Sequence, residues 1–355
     1  MSSLAPAYLR RAHRRAVTAA LLLLVVEASA AAEWRPLPRA QYRGVVPGHG
    51  EVLLDLSSIV GEPPVTAQSM RQGYALELHP RDGSIWRNAF EEYRGFELIA
   101  RWEGELSADG ALYEADWVPQ DGSASYPIRL ERVARTMALG IDSLAVTLVY
   151  PRLEEDANAA APALNAGLEA AMLDLAAARR QALAGRTPDA ESGQAWTYQI
   201  RGISSQLISL HLRGETSGAG GFRTLEERGL TLAVGRAAHG GSPAARIVNW
   251  NDLQRDGADL PARIDRLLLE EFRREGVGLV TSGAIETFLP RIETWTVSPR
   301  GMTLTFEPVK REALGGIRSE LDTFWPEQIW SLTLPYAALA EALDPGGVLA
   351  PWIVP

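Results

Sequence analysis

Between Val45 and Val133, short alternating apolar and polar runs are repeatedly broken by Asp-Gly pairs. A tight hairpin of type I′ needs positive φ at both central residues, and Asp-Gly supplies it at little steric cost. Val52–Leu56, Tyr74–Leu78, Phe96–Trp102, Ala111–Val118 and Tyr126–Leu130 are the runs. Asp82-Gly83, Asp109-Gly110 and Asp121-Gly122 punctuate them. A period of two at this spacing opposes helix and predicts a small antiparallel β-domain, a meander or partial barrel, over residues 33–133.

Beyond residue 133 the periodicity changes. Leu144–Tyr150 reads as a strong strand, with Leu144, Val146, Leu148 and Tyr150 on one face. Residues 161–185 carry a helical stripe of Leu164, Leu168, Met172 and Leu175, ended by Gly185. Trp196–Ile203, Leu207–Gly214 and Gly229–Gly235 read as strands, and Arg246–Trp250 as another. Asp259 is placed to cap a helix with Pro261 in its first turn and Ile264, Leu267, Leu268 and Phe272 on its apolar face. A hairpin around Pro299-Arg300-Gly301, a strand at Trp330–Leu334 and a helix starting at Pro335-Tyr336 close the pattern. The expected fold class is therefore α+β: an antiparallel sheet with two to three packed helices over 134–345, preceded by the small all-β domain, with a tail at 346–355.

Residues 1–32 read as a secretory signal peptide, not as fold. Arg10, Arg11, Arg14 and Arg15 precede the apolar run Ala16–Val26, and Ala28-Ser29-Ala30 offers a cleavage site. That run is too short to span a bilayer, and no later stretch reaches 18 apolar residues, so no transmembrane anchor is expected after cleavage. The expected location is periplasmic or secreted. Removal of four Arg and one Glu takes the net charge from −9 to about −12. That balance excludes a nucleic-acid binder, which needs clustered Lys and Arg. There is no cysteine, which excludes disulfides and thiolate metal sites.

The later residues carry a resemblance. Ala238-His239-Gly240, then Asn249, Asp252, a Gly turn and a helix ending in Phe272 are similar to the Gly-Ala-His-Gly element of the DUF4163/DUF3298 pair. Gly301–Glu307, Ala313, Gly315-Gly316 and Leu332-Thr333-Leu334-Pro335-Tyr336 with Leu339 resemble its closing motif, so the likeness runs from about 135 to 345. Glu312 stands where the family has an aromatic residue, and an insertion at about 317–328, with Phe324-Trp325-Pro326, separates the loop from the last strand. The resemblance implies an extracytoplasmic module. The family occurs in a lysozyme-sensing anti-sigma factor and ahead of a peptidoglycan deacetylase domain. With neither a transmembrane segment nor a deacetylase domain here, a free-standing exported copy is expected.

No catalytic or metal constellation stands out. None of the five histidines forms His-Glu-x-x-His or another close ligand pair. Gly218–Gly221 lacks the Lys-Ser/Thr of a phosphate loop, and no cofactor is implied. Glu154-Glu155-Asp156 reads as a solvated loop, since calcium needs tighter ligand spacing and a turn Gly. His239 and Gly240 in their turn, Asn249 at a strand exit, the inserted Phe324 and Trp325, and Tyr336 of the closing motif form the candidate binding set. The expected function is non-enzymatic binding, through loops, of a lysozyme-like protein or peptidoglycan. The competing expectation is a cell-wall glycan hydrolase with a His and carboxylate site near His239.

Overall fold

The computed structural model describes residues 33–57, 65–81, 89–141, 146–183, 194–217, 223–235, 243–276, 292–306 and 330–353. The first eight strands are β1 (Glu33–Val46), β2 (Gly50–Ser57), β3 (Val65–Ser69), β4 (Ala75–Pro80), β5 (Phe90–Arg94), β6 (Glu97–Leu106), β7 (Leu112–Pro119) and β8 (Tyr126–Ile141). Each pairs antiparallel with the next, and β1 pairs back onto β8, so the meander closes into a barrel. The alternation of the strands sends Tyr42, Leu54, Leu76, Phe90, Trp102 and Tyr113 inward. Eight strands leave an interior wide enough for side chains alone, and these fill it.

β8 is shared. One of its edges pairs with β1 along most of its length; the other pairs first with β7 and then with β9 (Val146–Leu153). The sheet continues through β10 (Gln194–Ile203), β11 (Leu207–Ser217), β12 (Arg223–Val234) and β13 (Ala245–Ile247). β9 and β10 are parallel, which requires a crossover, and α1 (Ala161–Leu183) provides it. Its stripe of Leu164, Leu168, Met172 and Leu175 is buried with Ile208, Leu210 and Leu212. Leu53 and Met70, from the outside of the barrel wall, belong to the same core.

A second sheet, β14 (Ile292–Ser298), β15 (Gly301–Phe306) and β16 (Trp330–Pro335), packs over the other face of β10–β12. Gly229 makes the close approach of β12 and β14 possible, because a Cβ there would lie 1.8 Å from the Trp295 carbonyl oxygen. α2 (Trp250–Leu253), α3 (Leu260–Arg274), α4 (Tyr336–Leu339) and α5 (Ala350–Ile353) complete the described elements. Ile264, Leu268 and Phe272 of α3 pack with Met302, Leu304 and Leu334.

Polar contacts fasten the barrel to the second lobe. Arg39 reaches both Asp55 oxygens and donates to the Tyr198 carbonyl at 3.1 Å. Its guanidinium also lies over the Tyr198 ring at 4.7 Å. The Tyr198 hydroxyl is 2.6 Å from Thr136 Oγ1, and Gln68 Nε2 donates to the Ile200 carbonyl at 2.6 Å.

The α+β expectation is overturned. Among the described residues strand outweighs helix by 55% to 21%, so the protein is mostly β. The barrel is closed and extra strands extend it; only α1 and α3 exceed a single turn or so. The physical reason is β8, 16 residues long, which pairs with β1 on one edge over 130–140 and with β7 and then β9 on the other. One sheet therefore runs from barrel to second lobe, where a small all-β domain followed by an antiparallel sheet with two to three packed helices was expected.

Candidate functional site at the barrel end

In a meander, alternate turns gather at one end. Here these are 47–49, 70–74, 95–96 and 120–125. Beneath them lies a buried polar chain. Glu92 occupies an inward position of β5, where alternation with Phe90 calls for an apolar residue, and it is 2% exposed. A bare carboxylate in such a place would cost several kcal/mol. Glu92 is instead fully engaged: Oε2 accepts from the Trp102 and Trp117 indoles at 2.9 and 3.0 Å, and Oε1 lies 2.7 Å from His49 Nε2. The contact to His49 is close, although the ring N–H is off the ideal line toward that oxygen.

His49, also buried, comes from the β1–β2 turn. Its Nδ1 is 2.6 Å from the Tyr74 hydroxyl, which the β3–β4 turn brings to the surface. The chain thus runs from solvent to core: Tyr74, His49, Glu92. Burial is the largest influence on Glu92 and pushes its pKa up. The hydrogen bonds of His49, Trp102 and Trp117 together outweigh it and hold the carboxyl below its ordinary range. Desolvation, then the nearby Glu92 charge, raises the Tyr74 phenol, which stays protonated at neutral pH.

The rim around this chain is aromatic. Phe96 is fully exposed at the β5–β6 turn, and Tyr74 and Tyr126 are 39% and 45% exposed. Ring contacts tie the two tyrosines inward: Tyr74 to His49 at 5.9 Å, His49 to Trp117 at 6.4 Å, and Trp117 to Tyr126 at 6.1 Å. Offset and edge contacts of this kind hold the rings in fixed orientations. The chemistry available is stacking on the rim and hydrogen bonding at the Tyr74 hydroxyl. The order of phenol, imidazole and carboxylate also matches a nucleophile, a base and its orienting group. A phenol with a raised pKa is nevertheless a poor nucleophile.

A second His–carboxylate pair sits on β11 and β12, where His211 Nε2 is 3.2 Å from Glu227. Arg201 Nη2 is 3.4 Å from His211 Nδ1. Hydrogen bonding with His211 lowers the Glu227 pKa despite partial burial, and burial lowers that of Arg201. Among the described residues no group of three His, Cys, Asp or Glu is arranged to hold a metal.

Of the residues singled out in sequence, His239, Gly240, Phe324 and Trp325 lie outside the described residues, as do residues 1–32. Asn249 caps α2: its side chain accepts from Asn251 N while Asp252 accepts from Asn249 N. Tyr336 is buried, and its hydroxyl donates to the Ser298 carbonyl at 2.7 Å. Tyr336 belongs to the core under α3, whereas Asn249 is exposed at the start of α2. Sequence reasoning passed over His49 and Glu92. The available signal was the acid at an apolar-parity position in Phe90-Glu91-Glu92-Tyr93.

No protein-family model matches the chain, and no curated protein does. Among solved structures, it is similar to a DUF3298 family protein from Pseudomonas aeruginosa, determined at 2.15 Å. The match has 14% identity, a TM-score of 0.37, and covers 61% of this chain and 94% of the other. A distant DUF3298 structure is thus one structural neighbour of this chain.

Proposed function

We propose that this chain is an exported, non-enzymatic envelope protein of the DUF4163/DUF3298 type that binds a protein or peptidoglycan ligand, with the barrel end as its contact surface. The observation that supports it most is the aromatic rim of Tyr74, Phe96 and Tyr126 held over a polar chain whose carboxylate is already satisfied. Exposed aromatic side chains offer large contact area, and the ring contacts of Tyr74 and Tyr126 lower the entropic cost of using it. The signal-like residues 1–32 and the closing motif support export and family. A net charge of −9, more negative after cleavage, steers basic partners such as lysozymes.

Pull-down with lysozyme and co-sedimentation with peptidoglycan test the reading. Retention by one of them, weakened about tenfold or more by Phe96→Ala with Tyr126→Ala, is expected. Blank results in both assays contradict it.

The Tyr74–His49–Glu92 order favours a second reading, a glycan hydrolase. Turnover of murein fragments that Tyr74→Phe abolishes would establish that reading; absence of turnover in the unaltered chain is expected.

A further inference from the structure

On the β1–β3 side of the same barrel end, a cleft of about 900 Å³ lies along the seam with the second lobe. This is the size range of small-molecule sites, and seams between packed bodies are where such sites concentrate. Arg43, Glu51 and Arg71 line it from the barrel; Ser204, Ser205 and Trp352 line it from the other side. The two walls are held in place independently of any occupant, because Gln68 and Arg39 bond across the seam to Ile200 and Tyr198.

The charges in the cleft are unequal. Arg43 is paired with Glu51 at 2.7 Å, so those two offset each other. Arg71 is exposed and makes no ion pair or side-chain hydrogen bond among the described residues. Arg300 stands nearby: its side chain lies against Gly73, whose φ of +73° and bare Cα leave room for it. In a chain of net charge −9, an uncompensated guanidinium at a cleft mouth runs against the overall field. A guanidinium presents a planar fork of donors that matches a carboxylate.

The opposite wall supplies a different chemistry. Trp352 is half-buried in α5, and its ring edge rests on Gly202, where a Cβ would come within 2.7 Å. Such a ring, held at one edge and bordering open space, suits stacking against the apolar face of a sugar. Ser204 and Ser205 add hydroxyls to the same wall; the Ser204 oxygen accepts from Gln206 N at 3.3 Å and keeps its own proton to donate.

We infer that this seam is a second binding site, for a carboxylate carried on a sugar-like ring, with Arg71 receiving the carboxylate and Trp352 the ring. The inference does not depend on the barrel rim being a contact surface. It is tested by NMR titration of the full chain, following the Trp352 indole N–H, which is assigned from Trp352→Phe. The probes are N-acetylmuramic acid and N-acetylglucosamine, which differ by a lactyl carboxylate. Saturable shifts at the Trp352 resonance are expected with the acidic sugar, with at least about tenfold weaker response to the neutral one. Arg71→Gln, at an exposed position, is expected to remove that preference while leaving the rest of the spectrum unchanged. Equal affinity for the two sugars, an Arg71→Gln variant that keeps the preference, or shifts that never saturate would overturn the inference.

Discussion

Glu92 shows how one residue can govern a site without touching solvent. Its carboxylate stays charged because two indoles and an imidazole replace the water it lost. His49→Ala removes one partner and leaves the charge under-compensated, so a loss of about 3 kcal/mol in unfolding free energy is expected from denaturant titration. The pH dependence has a definite sign. The folded-state pKa of Glu92 lies below its ordinary 4.5, so its contribution is complete above that value. It is lost as pH falls further, through the depressed pKa; thermal melts should hold level for this group down to its ordinary 4.5 and decline below it, a decline that Glu92→Gln flattens. Tyr336 is an opposite case, a tyrosine whose hydroxyl is spent on the Ser298 carbonyl. Tyr336→Phe should cost about 1 kcal/mol and leave ligand retention unchanged.

At the level of elements, Gly229 is the most demanding position. Gly229→Ala would drive β12 from β14, and a loss of about 3 kcal/mol or more is expected, read as a fall in the denaturation midpoint. Much of the local structure was legible. Asp109-Gly110 and Asp121-Gly122 turn where expected, with positive φ at both glycines, and α1 and α3 occupy 161–183 and 260–274. Barrel closure was not legible, because β1 meets β8 across about ninety residues of chain and no local pattern encodes that pairing. The continuity of β8 was hidden too: in sequence 133/134 reads as the boundary between two units, whereas the strand runs through it past a register irregularity at Val133. His49 and Glu92 lie on different strands' turns and edges, and their meeting depends on the same closure.

The whole molecule is joined by more than a linker. Leu53 and Met70 of the barrel wall share a core with α1 and β10–β12, and Arg39 and Gln68 bond across the seam. Unfolding of barrel and second lobe should therefore be coupled, giving one calorimetric transition. Arg39→Ala, which strips Asp55 and the Tyr198 carbonyl of a shared partner, should broaden or split it. This rigidity also fixes the rim and the seam cleft relative to each other, so that a large ligand can meet both.

Hydrogen–deuterium exchange of the full chain, with and without its retained partner, tests the recognition surface most directly. Slowed exchange concentrated in the turns at 47–49, 70–74, 95–96 and 120–125 is the expected footprint. A partner that leaves all four turns unprotected while protecting another face would contradict the assignment of the barrel end.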